Sequence, residues 1–355
     1  MMRFAFAALL GSGCAISVAR AAEPPAVDAA QMATVVVSGE QPGPGLWKVS
    51  RGDHVLWILG TLAPLPKDIE WKSKEVDAVL AQAQELLDSP QVGVDADIGF
   101  FGKLALLPSL VGVRKNPDDA TLKEVIPADL YARWLVLKEK YIGRSSRVEE
   151  WRPIFAAVDL YESAIRKSGL TDSGLAQKAV KSAAKRAGVP IVETKVQLRV
   201  EDPRKAIKEF KNGSLDDVDC FRKTLDRIDT DLETMRERAN AWATADLQSL
   251  RSLTYTDQLT ACRNAVVRSD LARERGLSDI EQRIKGAWLV AADRALSNNR
   301  VTLALLPITE LVKEGGYVAA LRSRGLVVEA PDERSDDPLV EPASTATEGT
   351  PAPIF

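Results

Sequence analysis

Arg300-Val301-Thr302-Leu303-Ala304-Leu305-Leu306 is a near-continuous apolar run of strand length. Such a run suits a strand covered on both faces, because a strand with one face in water alternates apolar and polar residues. A chain containing it must therefore cover a sheet on both sides. A second run, Val55-Leu56-Trp57-Ile58-Leu59, is joined to Leu46-Trp47-Lys48-Val49 by the turn-forming set Ser50-Arg51-Gly52-Asp53, which predicts a strand pair. Gly60-Thr61 ends the second strand, and a loop carrying Pro64 and Pro66 follows. A helix is expected from Ser73 to Leu87, with Ser73 as N-cap and Val76, Val79, Leu80, Ala83 and Leu86-Leu87 on its apolar face.

Helical periodicity fills the middle of the chain. Ala128–Tyr141, Arg152–Lys167 and Ser173–Ala187 each show the 3.6 period, and Gly188-Val189-Pro190-Ile191-Val192-Glu193 reads as a helix stop leading into a short buried strand. Helices resume from Pro203 to Leu296, with Ile228, Leu232, Met235 and Ala239 as a packing stripe. After the apolar run, Pro307-Ile308-Thr309-Glu310 predicts an exit loop, Val312–Arg324 a helix stopped at Gly325, and Leu326–Glu329 a last strand. Strand–loop–helix units at both ends of the domain enclose a large central helical insert. That is an α+β (or α/β) fold built on a mixed β-sheet.

The ends of the chain read differently. Arg3, the apolar run Phe4–Ala19 and Ala19-Arg20-Ala21 form a secretory signal pattern over residues 1–21, ended by Glu23-Pro24-Pro25 and too short to span a bilayer comfortably. Gly11 stands where a lipoprotein signal would carry leucine before Cys14, which argues against lipidation. The expected product is a periplasmic or secreted protein with no transmembrane segment after signal removal. Residues 22–44 read as a flexible linker, 45–330 as the domain, and 331–355, rich in Pro, Ser, Thr, Asp and Glu, as a disordered tail. Loss of Arg3 and Arg20 leaves 45 basic against 50 acidic residues, which argues against nucleic acid or an anionic membrane as main partner. Lys178–Arg186 and Arg199–Lys211 accordingly read as solvated helix faces. Cys220 and Cys262, both in helical patterns, predict a disulfide in an oxidising compartment, worth roughly 3–4 kcal/mol; the other reading is two unpaired buried thiols.

Histidine limits the chemistry. His54 is the one histidine in 355 residues. Ser-His-Asp or Cys-His catalysis needs an imidazole beside the nucleophile, and zinc hydrolases draw two or three ligands from histidine. No Gly-rich phosphate loop, HExxH, CxxC or GxSxG motif is present.

Residues Leu46–Leu87 (LWKVSRGDHVLWILGTLAPLPKDIEWKSKEVDAVLAQAQELL) resemble the opening of the TraB/GumN family, which includes Tiki- and PrgY-like proteins. Three further blocks agree in order: Ala187-Gly188-Val189-Pro190-Ile191-Val192-Glu193-Thr194, the strand Val301–Leu306 with its loop, and Glu314-Gly315-Gly316-Tyr317-Val318 running to Arg324-Gly325-Leu326-Val327-Val328-Glu329. The resemblance implies a Gly-x-x-His motif at the exit of the first long strand and another after the last core strand, associated in Tiki-like members with metal-dependent proteolysis. Two strand-end imidazoles with carboxylates could hold a cation that polarises water. This chain reads Gly60-Thr61-Leu62-Ala63 at the first place and Pro307-Ile308-Thr309-Glu310 at the second, so both histidines are missing. Glu193 matches the acidic residue after the middle strand, and Asp88 falls near another.

The resulting expectation is an exported domain with a degenerate metal-hydrolase site that binds a ligand or an exported protein or peptide, with no cofactor. The candidate pocket comprises Gly60, Thr61, Ala63, Glu193, Thr309 and Glu310. The alternative is a metal-dependent hydrolase or peptidase in which Asp88, Glu193 and Glu310 hold Mg²⁺, Mn²⁺ or Ca²⁺ in place of the histidines, with Glu193 the candidate catalytic residue. Glu193 could equally be a satisfied carboxylate accepting backbone or arginine hydrogen bonds. Thr61 and Thr309 have no visible activating base. Trp47, Trp57, Trp71 and Trp151 read as core. His54 begins the strand that ends at Gly60, about 30 Å of extended chain from Ala63, and is expected near the opposite edge of the sheet.

Overall fold

A computed structural model describes residues 43–71, 74–96, 98–252 and 258–334. The expected signal segment, nearly all of the linker, Ser73 and residues 335–355 of the tail lie outside the described residues. β1 (Leu46–Arg51) and β2 (His54–Thr61) form the opening hairpin, β3 (Leu65–Pro66) and α1 (Lys74–Gln82) follow, and then come β4 (Glu85–Leu87) and β5 (Gln91–Asp95). The helical part comprises α2 (Phe100–Leu110), α3 (Leu122–Val125), α4 (Ala128–Tyr141), α5 (Pro153–Lys167), β6 (Leu170–Thr171) and α6 (Leu175–Arg186). β7 (Ile191–Val192) and β8 (Lys195–Arg199) interrupt it before α7 (Pro203–Asn212), α8 (Val218–Thr230), α9 (Leu232–Ala243), α10 (Leu247–Ser252), α11 (Gln258–Val267), α12 (Asp270–Glu274) and α13 (Ile280–Asn298). The chain returns to β9 (Val301–Pro307), α14 (Ile308–Val312), α15 (Tyr317–Ser323) and β10 (Val327–Glu329).

One sheet has the order β10-β1-β2-β9-β4-β7. β1 is antiparallel to both its neighbours, while β2, β9, β4 and β7 run parallel. The fold is α+β with a mixed sheet. β9 sits in its interior, where the continuous apolar run is required. Because side chains alternate along a strand, Leu56, Ile58, Ala304 and Leu306 face one layer and Trp57, Leu59, Leu303 and Leu305 the other. The first layer holds Trp288, Ala292 and Leu296 of α13 with Trp242 of α9, Leu311 of α14 and Leu321 of α15. The second holds Val76, Val79 and Leu80 of α1 with Val180 and Ala184 of α6. A separate helical core joins Leu130, Trp134 and Leu137 of α4 to Leu160 of α5 and Phe221, Leu225 and Ile228 of α8. Trp47, Trp57 and Trp151 are buried, and Trp71 is half-buried.

Several boundaries differ from the sequence reading. The helix expected to run to Leu87 stops at Gln82, and Glu85-Leu86-Leu87 is strand β4 between β9 and β7. An apolar pair this short fits either period, and only its place between two strands decides. Pro307-Ile308-Thr309-Glu310 is not a loop: Ile308 starts α14 directly after β9, with Ile308 and Leu311 buried three residues apart. The helix expected over Val312–Arg324 is consequently broken at Lys313–Gly316, where Gly315 has φ 67°. Residues 91–95 form β5 and residues 100–110 form α2, whose sequence, FFGKLALLPSL, is apolar nearly throughout and so offers no polar–apolar alternation to read. Residues 43–44 of the expected linker and 331–334 of the expected tail are among the described residues. Arg334 packs 5.0 Å over the Trp57 ring, Asp332 pairs with Arg251, and Gly43 and Pro44 are buried.

Cys220 of α8 and Cys262 of α11 form a disulfide. Asp217, the residue before α8, accepts from the backbone N–H of Ile154 at 2.9 Å and so caps α5 from outside it. Burial pushes the Asp217 carboxyl up to about 6, against the opposing hydrogen bonds and the charge of Arg152. A carboxyl raised in the folded state binds more protons there than when unfolded, so its contribution is fully favourable near pH 4 and is lost as pH rises through about 6. Asp217→Asn keeps an acceptor for Ile154 without titrating. Urea unfolding at pH 4.5 and 7.5 should show the variant gaining on the parent by about 2 kcal/mol at the higher pH. Equal differences at both pH values would contradict this.

Candidate functional site

The four parallel strands end along one edge, the position at which open sheets of this kind present side chains to ligands. Thr61 pairs with Pro307 at the ends of β2 and β9, and Leu87 pairs with Ala304 of β9 and Val192 of β7. Asp88 and Glu193 are the residues that follow β4 and β7. Thr61, Pro307, Asp88 and Glu193 therefore occupy the carboxyl edge in that order, and His54 starts the opposite end of β2. The His54 ring lies with Nδ1 2.7 Å from the Asn299 carbonyl and Nε2 3.6 Å from Asp53.

At β2 and β9 the edge is sealed by apolar groups. Trp242 of α9 donates its indole N–H to the Gly60 carbonyl at 2.6 Å, and its ring meets Trp71 edge-on at 5.4 Å. A Cβ on Gly60 would stand 2.5 Å from Ile308 Cδ1, 3.1 Å from Trp47 and 3.2 Å from Leu311, so glycine is what lets α14 lie against the strand. Thr61 is buried and donates its hydroxyl to the Leu306 carbonyl at 3.2 Å. Leu62 and Leu65 are buried, whereas Ala63 is exposed and joined to Pro64 by a cis peptide bond. Thr309 and Glu310 are half-buried on the first turn of α14, with Glu310 3.9 Å from Lys313.

At β4 and β7 the edge is polar. Asp88 is only 2% exposed, and its carboxylate accepts from the ammonium of Lys181 on α6 at 2.5 Å. It also accepts from the Ser89 backbone N–H and the Gln91 side chain, each at 2.9 Å. Thr194 donates to the Asp88 carbonyl and Gln177 to the Ser89 hydroxyl. Glu193 is 58% exposed and bonded to Lys195 at 2.8 Å. That hydrogen bond, with the charges of Lys195 and then Lys181, holds the Glu193 carboxyl below the usual carboxylate range.

Residues of this kind fit a divalent cation poorly. Neither strand exit supplies an imidazole, and the acids at β4 and β7 are met by lysine ammonium groups. Among the described residues no three His, Cys, Asp or Glu side chains lie close enough together to hold a metal ion. The trio Asp88, Glu193 and Glu310 is thus not gathered: Asp88 is buried with Lys181, Glu193 turns to Lys195, and Glu310 lies beyond β9 near Lys313. Nor do the candidate pocket residues line the clefts described here. One, of about 560 Å³, lies between α7 and α12, and another, of about 500 Å³, lies beside α14, α15 and β1.

Sequence reasoning missed Lys181, Gln177 and Trp242. Ala176, Val180 and Ala184 form the buried stripe of α6, and Gln177 and Lys181 flank it one residue on. Their spacing is visible in the sequence, but their target is not, because Glu85-Leu86-Leu87 fits a helical period as well as a strand. A model of the family described as TraB/PrgY/gumN matches residues 45–330. No curated protein and no solved structure matches the chain.

Proposed function

Because the chain belongs to the TraB/PrgY/gumN family, we propose that it is an exported member whose metal-hydrolase centre has been replaced and which serves by binding a ligand, protein or peptide. The carrying observation is the Lys181 ammonium on Asp88 at the carboxyl edge of the sheet. It supplies, through a covalent tether, the positive charge that a metal would bring, and it cannot polarise water as a Lewis acid does. The apolar seal of Trp242 and Trp71 over Gly60, with Ala63 and Glu310 in place of imidazoles, supports the same reading. Export rests on the signal pattern of residues 1–21, and the disulfide is compatible with it.

Elemental analysis of the purified protein tests this. The expected result is well below one zinc or manganese per chain, and no peptidase activity that Glu193→Gln abolishes. One tightly held metal ion per chain would overturn the proposal. Lys181→Met should lower stability by about 2–3 kcal/mol in urea unfolding, because it leaves a buried carboxylate with neutral donors alone. A neutral Lys181→Met would remove the ion pair from the account.

A further inference from the structure

The net negative charge of the chain is not evenly spread, and one arm of the structure has the opposite character. α2 exposes Leu104 at 54%, Leu107 at 54% and Leu110 at 44%, and its C-cap residue Val111 is 73% exposed. Leu104, Leu107 and exposed Pro108 follow the i, i+3, i+4 spacing and so share one helix face, with Val111 just beyond its end. Apolar side chains in such a row are uncommon on a free surface.

α7 lies alongside and is bonded to the α2 segment at both ends. Arg204 donates to the Ala105 carbonyl at 3.3 Å and Lys211 to the Val111 carbonyl at 2.9 Å. Arg204, Lys205 and Lys208 are exposed. Asp202 accepts from the Lys205 backbone N–H as N-cap, and Glu209 is bridged by Arg275 at 2.7 Å and lies 3.8 Å from the Lys205 ammonium. Asp270 and Glu274 of α12 line the cleft on the other side of Lys205 and Lys208, and Arg204 stands on the α2 side. An exposed apolar helix edged by cations is the composition of a segment that rests in a bilayer interface.

We infer that α2 and α7 form a docking surface for an anionic phospholipid bilayer, with the α2 leucines entering the acyl boundary and the α7 cations facing the headgroups. Charge selects this occupant. A second copy docked on the same face would bring its own Arg204, Lys205 and Lys208 against these, whereas anionic lipid complements them. The contact is peripheral, since no helix of the described residues is long and apolar enough to cross a membrane.

Co-sedimentation with vesicles of phosphatidylcholine containing about 30% phosphatidylglycerol, against pure phosphatidylcholine, tests the inference. The parent protein should bind the anionic vesicles, and Leu104→Asp/Leu107→Asp should weaken binding by at least about tenfold. Lys205→Glu/Lys208→Glu should weaken binding to anionic vesicles and leave pure phosphatidylcholine unaffected. Because residues 4–19 are themselves apolar, parent and variants are compared with the same N-terminus. Absence of binding by the parent, or binding unchanged by the leucine substitutions, would overturn the inference. So would a concentration-dependent dimer in sedimentation velocity that Leu104→Asp/Leu107→Asp abolishes, which would assign the face to a second copy. Both substituted leucines are exposed, so loss of binding with an unchanged unfolding midpoint separates docking from misfolding.

Discussion

Trp242→Ala is expected to lower the unfolding free energy by about 3–5 kcal/mol, the range for deleting a large aromatic side chain from a packed core. Trp242 is almost fully buried in the layer that also holds Trp288 and Leu306, and it touches Trp71. Its removal opens a cavity at the exit of β2 and withdraws the indole donor from the Gly60 carbonyl. Trp242→Phe keeps most of the packing and should cost only about 1 kcal/mol for the lost hydrogen bond beyond its smaller ring. Urea unfolding of both variants separates the two contributions. If Trp242→Ala stays within about 1 kcal/mol of the parent, the strand exit is not sealed as described.

Reduction of the Cys220–Cys262 bridge, or its replacement by Cys220→Ala/Cys262→Ala, is the second large effect. The two residues are 42 apart in sequence, and closing a loop of that length removes about 4 kcal/mol of chain entropy from the unfolded state. Cys220 is fully buried beside Ile154 and Ala265, so the alanine pair adds a small packing loss. The expected outcome is a denaturant midpoint that falls on adding reductant for the parent and does not move for the double alanine variant. A parent whose midpoint is insensitive to reductant after complete thiol titration would refute it.

These two expectations differ in how early they could be formed. Cys220 and Cys262 are legible as a pair from their helical setting, as the two cysteines outside the expected signal segment that holds Cys14. Trp242 carried no such signal. It lies in a long charged helical region, and its partner Gly60 is 182 residues away, a pairing that no periodicity encodes. Lys181 is intermediate. Its place beside the α6 stripe was legible, but the carboxylate it meets became a strand-end group only once Glu85-Leu86-Leu87 joined β9 and β7. The carboxylate trio fails for a related reason: Asp88, Glu193 and Glu310 each follow or adjoin a strand end, yet each side chain finds a nearby lysine.

Local pattern fixed the strand pair Leu46–Leu59, the helices of the central insert, the interior strand Val301–Leu306 and the family, because alternation, helical period and ordered motifs are properties of neighbouring residues. It also showed that Gly60-Thr61-Leu62-Ala63 and Pro307-Ile308-Thr309-Glu310 carry no histidine. Which groups meet at the strand ends was decided by the tertiary structure alone. Packing of α9 against Gly60 and of α6 against β4 brings distant side chains together, and the long-range burial that selects those partners leaves no trace in local sequence.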